Sequence, residues 1–208
     1  MDPDGKGTIA VYSNEVDGLG PIVFDSGPDR FYGSSGKYDD QTYRYNVAQW
    51  LNPDTIAVQR KPILVYDMLP GQVNSAAPHK RLVHLESKGF SVVMTNRNET
   101  PILSETLLNN YGQLWLFSGE AGSALLFSDT ELEAISRFNK AGGGMLVVTG
   151  PCNGSAGCAA ANQVSTRYGV TFSGTVSNRE EIPAATSSWF SERTARLLGT
   201  LLKLVNKA

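Results

Sequence analysis

The stretch Ser128–Gly150, SDTELEAISRFNKAGGGMLVVTG, decides the fold class, because it holds a helix start, a helix stop and a buried strand in unbroken succession. Ser128 with Glu131 spells the S-x-x-E capping box, and Leu132, Ile135 and Phe138 follow at helical spacing. Gly142-Gly143-Gly144 supplies the left-handed positions that end a helix, and Met145–Thr149 reads as a strand. A helix feeding through a glycine turn into a continuous apolar run predicts a parallel α/β sheet, whose strands are covered on both faces.

Composition bounds what such a sheet can serve. The chain's 208 residues suffice for one large α/β domain with a sizeable core. Apolar residues make up 41% and charged residues 18%, with a net charge of −2, which argues against disorder and against a nucleic-acid footprint. The apolar run of roughly 18 residues that a membrane helix needs is absent from the sequence, so no membrane insertion is expected. The opening Met1-Asp2-Pro3-Asp4-Gly5 is polar and acidic, unlike a signal peptide, so the chain is expected to be cytoplasmic or a trimmed extracytoplasmic fragment. Cys152 and Cys158 are the only cysteines and share a glycine-rich loop, which permits a disulfide, a redox pair or two unrelated thiols. Their spacing brings a disulfide within reach, and with His79 and His84 the only histidines, no metal site is expected. Asn98-Glu99-Thr100 and Asn153-Gly154-Ser155 fit the glycosylation pattern, a triplet common by chance.

Upstream of the opening stretch, Thr8–Ser13 is a short strand, and Asn14–Tyr38 contains seven glycines or prolines without helical period. Such a segment reads as a long loop packed over a site. Asp39-Asp40 then starts a helix with Tyr43, Val47, Trp50 and Leu51 on one face, stopped by Asn52-Pro53. Residues 1–53 are thus expected to dock as strand, loop and helix on a core spanning 61–176, within one domain of residues 1–208. In that core, Ile63–Tyr66, Phe90–Thr95 and Leu114–Ser118 read as further strands, separated by helices over Pro78–Lys88 and Ser104–Asn110. Ala159–Tyr168 reads as helix, Val170–Val176 as a further strand, and Ser188–Lys207 as a C-terminal helix. The expected architecture is a three-layer α/β sandwich with a mostly parallel central sheet.

Open parallel sheets bind ligands beyond the carboxyl ends of their strands. That places Asp67, Gly119, Glu120, Gly150 and Asn153 in a candidate ligand site, because each follows a strand among small residues. His79 and His84 read as surface or interface residues of the crossover helix. The signatures GxGxxG and the P-loop are both missing, so no nucleotide cofactor is expected.

The order strand, helix, strand, short helix, strand with a small-residue loop, capped helix, Gly-Gly-Gly, strand resembles the class I glutamine amidotransferase-like superfamily, a flavodoxin-like α/β group. The resemblance spans about Lys61–Val176. Glutaminase members carry a G-x-C-x-G nucleophile elbow and a later strand ending in His-Pro-Glu. Gly150-Pro151-Cys152-Asn153-Gly154 matches the first motif and makes Cys152 the candidate nucleophile. Along the strand, however, the resemblance puts Gly150 at the turn itself. Tyr12-Ser13-Asn14-Glu15 is similar to the second motif, with Ser13 where the base belongs and Glu15 after it, and Asp40–Leu51 is similar to the family's closing helix. This implies a circularly permuted order, the family's last strand and helix coming first. Non-enzymatic relatives, such as the N-terminal domain of an intraflagellar-transport protein, have a similar strand, loop and helix. A cysteine nucleophile needs a base or an electropositive pocket to hold its thiolate. With serine in the base position, the resemblance implies a domain without glutaminase activity that binds a small molecule or a protein partner. A cysteine-dependent hydrolase using Cys152 and a structural module of a larger surface protein are the alternative readings.

Overall fold

Continuous apolar runs at Ile63–Asp67 (β3), Gln113–Ser118 (β5) and Gly144–Thr149 (β6) are buried along their whole lengths, as the middle strands of a two-faced sheet must be. The computed structural model describes residues 9–12, 18–32, 40–52, 61–68, 82–118, 126–150, 152 and 158–174. Ile9–Tyr12 (β1), Ile22–Asp25 (β2) and Val92–Asn96 (β4) complete a six-stranded sheet in the order β1-β2-β6-β5-β3-β4. All pairings are parallel except β1 with β2. The molecule is therefore an α/β sandwich built on a mostly parallel sheet.

The helices are Asp29–Tyr32 (α1), Asp40–Leu51 (α2), residues 82–86 (α3), Glu105–Leu108 (α4), Asp129–Lys140 (α5) and Ala159–Ser165 (α6). A 3₁₀ turn, Thr166–Tyr168, follows α6. One face of the sheet packs Phe31, Val47, Leu51, Leu82 and Leu85 from α1, α2 and α3. The other packs Leu108, Leu132, Ile135, Phe138 and Val164 from α4, α5 and α6. Crossovers toward the β4 edge use the first face and crossovers away from it use the second. All of them consequently share one hand, as parallel connections do.

Helix α5 forms as its sequence dictates. Ser128 and Glu131 make both bonds of the capping box. At the other end the Gly142 N–H donates to the Asn139 carbonyl and the Gly143 N–H to the Phe138 carbonyl, a Schellman closure that needs the positive φ of Gly142 (92°). Gly144 then starts β6 hard against helix α2, where a Cβ would fall well inside van der Waals contact distance of the Leu51 carbonyl oxygen.

Three expectations are corrected. The long segment Asn14–Tyr38 is not all loop, since it contains strand β2 and helix α1. The N-terminal strand beside β6 and parallel to it is β2, whereas β1 is antiparallel and forms the edge. Residues 170–174 of the expected strand Val170–Val176 form no strand. Their backbone is met by a side chain instead: the Phe172 N–H donates to Asn162 Oδ1 (2.8 Å) and Asn162 Nδ2 donates to the Phe172 carbonyl (3.0 Å). The expected helix over Ser188–Lys207 lies outside the described residues.

Candidate site at the carboxyl rim

Register places Asp25 (β2), Val148 (β6), Phe117 (β5), Asp67 (β3) and Asn96 (β4) in one row across the sheet. Just beyond that row the five parallel strands end on a common rim. Asp25 and Asp67 lie three strand spacings apart on it, about 14 Å at ~4.8 Å per strand. Between β3 and β5 the chain leaves toward opposite faces, α3 on one and α5 on the other, which is the topological switch point where open sheets take ligands. There the Met68 N–H donates to the Phe117 carbonyl (2.8 Å), and Ser118 Oγ donates to the Val148 carbonyl (3.3 Å). Asp67 is 8% exposed at this point.

Asp25 was not foreseen as a site residue. It is fully buried and accepts hydrogen bonds from the Gly27 N–H (2.7 Å), the Tyr43 hydroxyl (2.7 Å) and the Arg30 guanidinium. Burial raises its pKa, and the Arg30 charge with the Tyr43 and Gly27 donors only partly offsets that. Burial also pushes the Tyr43 hydroxyl well above its ordinary value, reinforced by the neighbouring Asp25. Arg44, itself buried, donates through Nε to the Arg30 carbonyl (2.7 Å), so α2 holds α1 against the end of β2. The sequence signal was a short β-forming run, Ile-Val-Phe, closed by Asp-Ser-Gly-Pro.

On the opposite face a second ionic cluster closes the rim. Arg97 follows β4 and pairs with Glu131 of α5. Its guanidinium lies over the rings of Tyr66 (5.6 Å) and Phe127 (5.4 Å) and donates to the carbonyls of Pro101 (2.7 Å) and Leu126 (3.1 Å). Glu131 also accepts from the Ser128 N–H (2.9 Å), the Ser128 hydroxyl (3.0 Å) and the Leu103 N–H (3.1 Å). Burial alone would raise this carboxyl, but those donors together hold it below its ordinary value. Tyr66, beneath Arg97, is pushed up to about 12 by burial.

At the end of β6 the Gly150 N–H still donates to the Ser118 carbonyl (3.1 Å), so the strand pairing runs on past Thr149. Cys152 is bridged to Cys158, with Cα atoms 5.1 Å apart, inside the usual disulfide range. This is the pairing that the spacing of the two cysteines led one to expect. The Cys152 N–H donates to the Gly174 carbonyl (3.0 Å). A bridged cysteine has no thiolate to offer.

His84 lies on α3, half-buried, with Nε2 3.1 Å from the Gln41 carbonyl oxygen of α2 on the same face. Strand β1 ends with Tyr12 opposite Ile22, the first residue of β2, and so points to the amino rim. Strand β1 therefore ends at the rim opposite to Gly150. Ser13, Glu15, His79, Gly119, Glu120 and Asn153 lie outside the described residues. Among the described residues no cluster of three or more His, Cys, Asp or Glu is arranged to hold a metal, and no helix is long and apolar enough to cross a membrane. Comparison of the chain with protein-family models, with curated proteins and with solved structures returned no match.

Proposed function

We propose that this chain is a non-catalytic, glutamine amidotransferase-like domain that binds a small ligand or a protein partner at the carboxyl ends of its strands. The observation that carries the reading is the Cys152–Cys158 bridge, which takes the candidate nucleophile out of thiolate chemistry. His84, bonded across to α2, adds to it by standing away from the end of β6.

Strand order supports the family likeness. Numbering β3, β4, β5 and β6 as strands 1 to 4 gives the flavodoxin-like order 2-1-3-4, with β2 in the place of strand 5. On this reading the fold is a three-layer, flavodoxin-like sandwich in circularly permuted order, with Ile22–Asp25 and α2 as the displaced last strand and helix. The binding region is the switch point, framed by Asp67, Ser118 and Gly150, with Gly119 and Glu120 next in sequence after β5 and Asn153 soon after β6. Ser13 and Glu15 belong to the segment that leaves β1.

Ammonia release from glutamine, measured with the wild type and Cys152→Ala in the presence and absence of a reductant, tests the claim. No turnover is expected under any of these conditions. Turnover that appears on reduction and disappears in Cys152→Ala would establish the cysteine hydrolase in its place.

A further inference from the structure

The two sulfurs of the bridge stand in unequal surroundings. Cys158 is 2% exposed and lies at the start of α6, whereas Cys152 is partly exposed beyond the end of β6. Thiol–disulfide exchange begins when a thiolate reaches one sulfur in line with the S–S bond, so access decides which sulfur is attacked and which departs. Access lies on the Cys152 side. The departing sulfur would be that of Cys158, and a buried thiolate needs a donor. One is in place: the hydroxyl of fully buried Thr149 donates to Cys158 Sγ at 3.4 Å. Toward a bridged sulfur such a bond is weak, and it strengthens once the sulfur carries charge.

We propose that Cys152 Sγ is the site of a directional thiol–disulfide exchange with low-molecular-mass thiols, with Cys158 as the leaving thiolate and Thr149 as the positioning donor. The incoming thiolate forms a bond to Cys152 Sγ while the Cys152–Cys158 bond breaks. The electron pair of that bond goes to Cys158, which takes a proton from water. The product is a mixed disulfide on Cys152 and a free thiol on Cys158. A second thiolate attacking the mixed disulfide at the sulfur of the small thiol releases Cys152 and completes a two-electron reduction. The site lies at the end of β6 and operates whatever the rim binds.

The test incubates the full chain, natively folded, with excess reduced glutathione, quenches with acid and maps the mixed disulfide by peptide mass spectrometry. Glutathione on Cys152 with a free thiol at Cys158 is the expected result. An adduct on Cys158, or none until denaturant is added, would overturn the proposal. Thr149→Val should slow the exchange by about tenfold, the scale of one hydrogen bond to a charged group, and Thr149→Ser should restore it. A variant that merely loosened the fold would expose the bridge and exchange faster. Unchanged or faster exchange in Thr149→Val would thus remove Thr149 from the scheme.

Discussion

The two rims of the sheet are closed by different chemistry. At the amino rim the buried polar side chains are neutral amides tied to backbone. Asn139 Nδ2 donates to the carbonyls of Gly20 (2.8 Å) and Gly143 (3.0 Å), and Gln113 Nε2 donates to that of Ala48 (2.8 Å). At the carboxyl rim the buried carboxylates of Asp25 and Glu131 pair with the partly exposed guanidinium groups of Arg30 and Arg97, beside the disulfide. Amides fasten strands without a titratable charge. Buried carboxylates carry a desolvation cost and respond to pH.

The largest effect is expected at Glu131. Glu131→Ala removes the acceptor of Arg97, Leu103 and Ser128 at once and should cost about 3–5 kcal/mol in urea unfolding, as breaking a buried ion pair does. A loss below about 1 kcal/mol would mean that the pair is solvated and that the rims do not differ in this way. Next comes the amino rim, where Gly144→Ala forces a methyl against the Leu51 carbonyl and should cost about 3 kcal/mol by overpacking. Near-wild-type stability there would show that α2 does not seat on the start of β6.

A smaller effect separates the two carboxylates of the carboxyl rim by the sign of their pH dependence. Glu131 has a lowered folded pKa, so its contribution is present above the unfolded value of 4.5 and is lost as pH falls through the folded one. The stability gap between wild type and Glu131→Gln should therefore stay level above that value and close below it. Asp25 has a raised folded pKa, so the stability it contributes when protonated is complete below the unfolded value of 3.8 and is lost as pH rises through the folded one. Wild type should accordingly gain on Asp25→Asn as pH falls from 7, and the change should end near 3.8. Parallel curves for the two variants in urea titrations across this range would refute the assignment. The smallest effect is expected at Arg137, which pairs with Glu133 and Glu105 on the exposed side of α5. Arg137→Ala should leave the urea midpoint within error, because solvent screens such pairs.

Much of the sheet was legible because burial on both faces leaves a continuous apolar run, as in Leu114–Phe117 and Met145–Val148. The capping box of α5 was legible because its bonds join residues three apart. Strand β2 escaped notice because its four residues sit among glycines and prolines, and short-range pattern carries no information about a distant partner. Val170 and Phe172 looked like strand residues because they alternate, and both do pack against the core, yet Asn162 supplies the backbone bonds of Phe172 that a neighbouring strand would have made. At the site, Asp67 could be placed from the strand it terminates. Asp25 could not, since its burial depends on Arg30 and Tyr43 arriving from two helices.

Strand β2 lies near the beginning of the chain, while its parallel partner β6 comes after β3, β4 and β5, with Ile22 paired to Met145. During synthesis the hairpin of β1 and β2 leaves the ribosome long before the strand it must lie against. Until then Val23 and Phe24 have only the hairpin and nearby helices to shield them. Bringing the two together closes a loop that contains most of the sheet, and such distant pairings slow folding. This domain should therefore acquire its N-terminal edge last, and a nascent chain released short of Thr149 should be held by chaperones rather than fold.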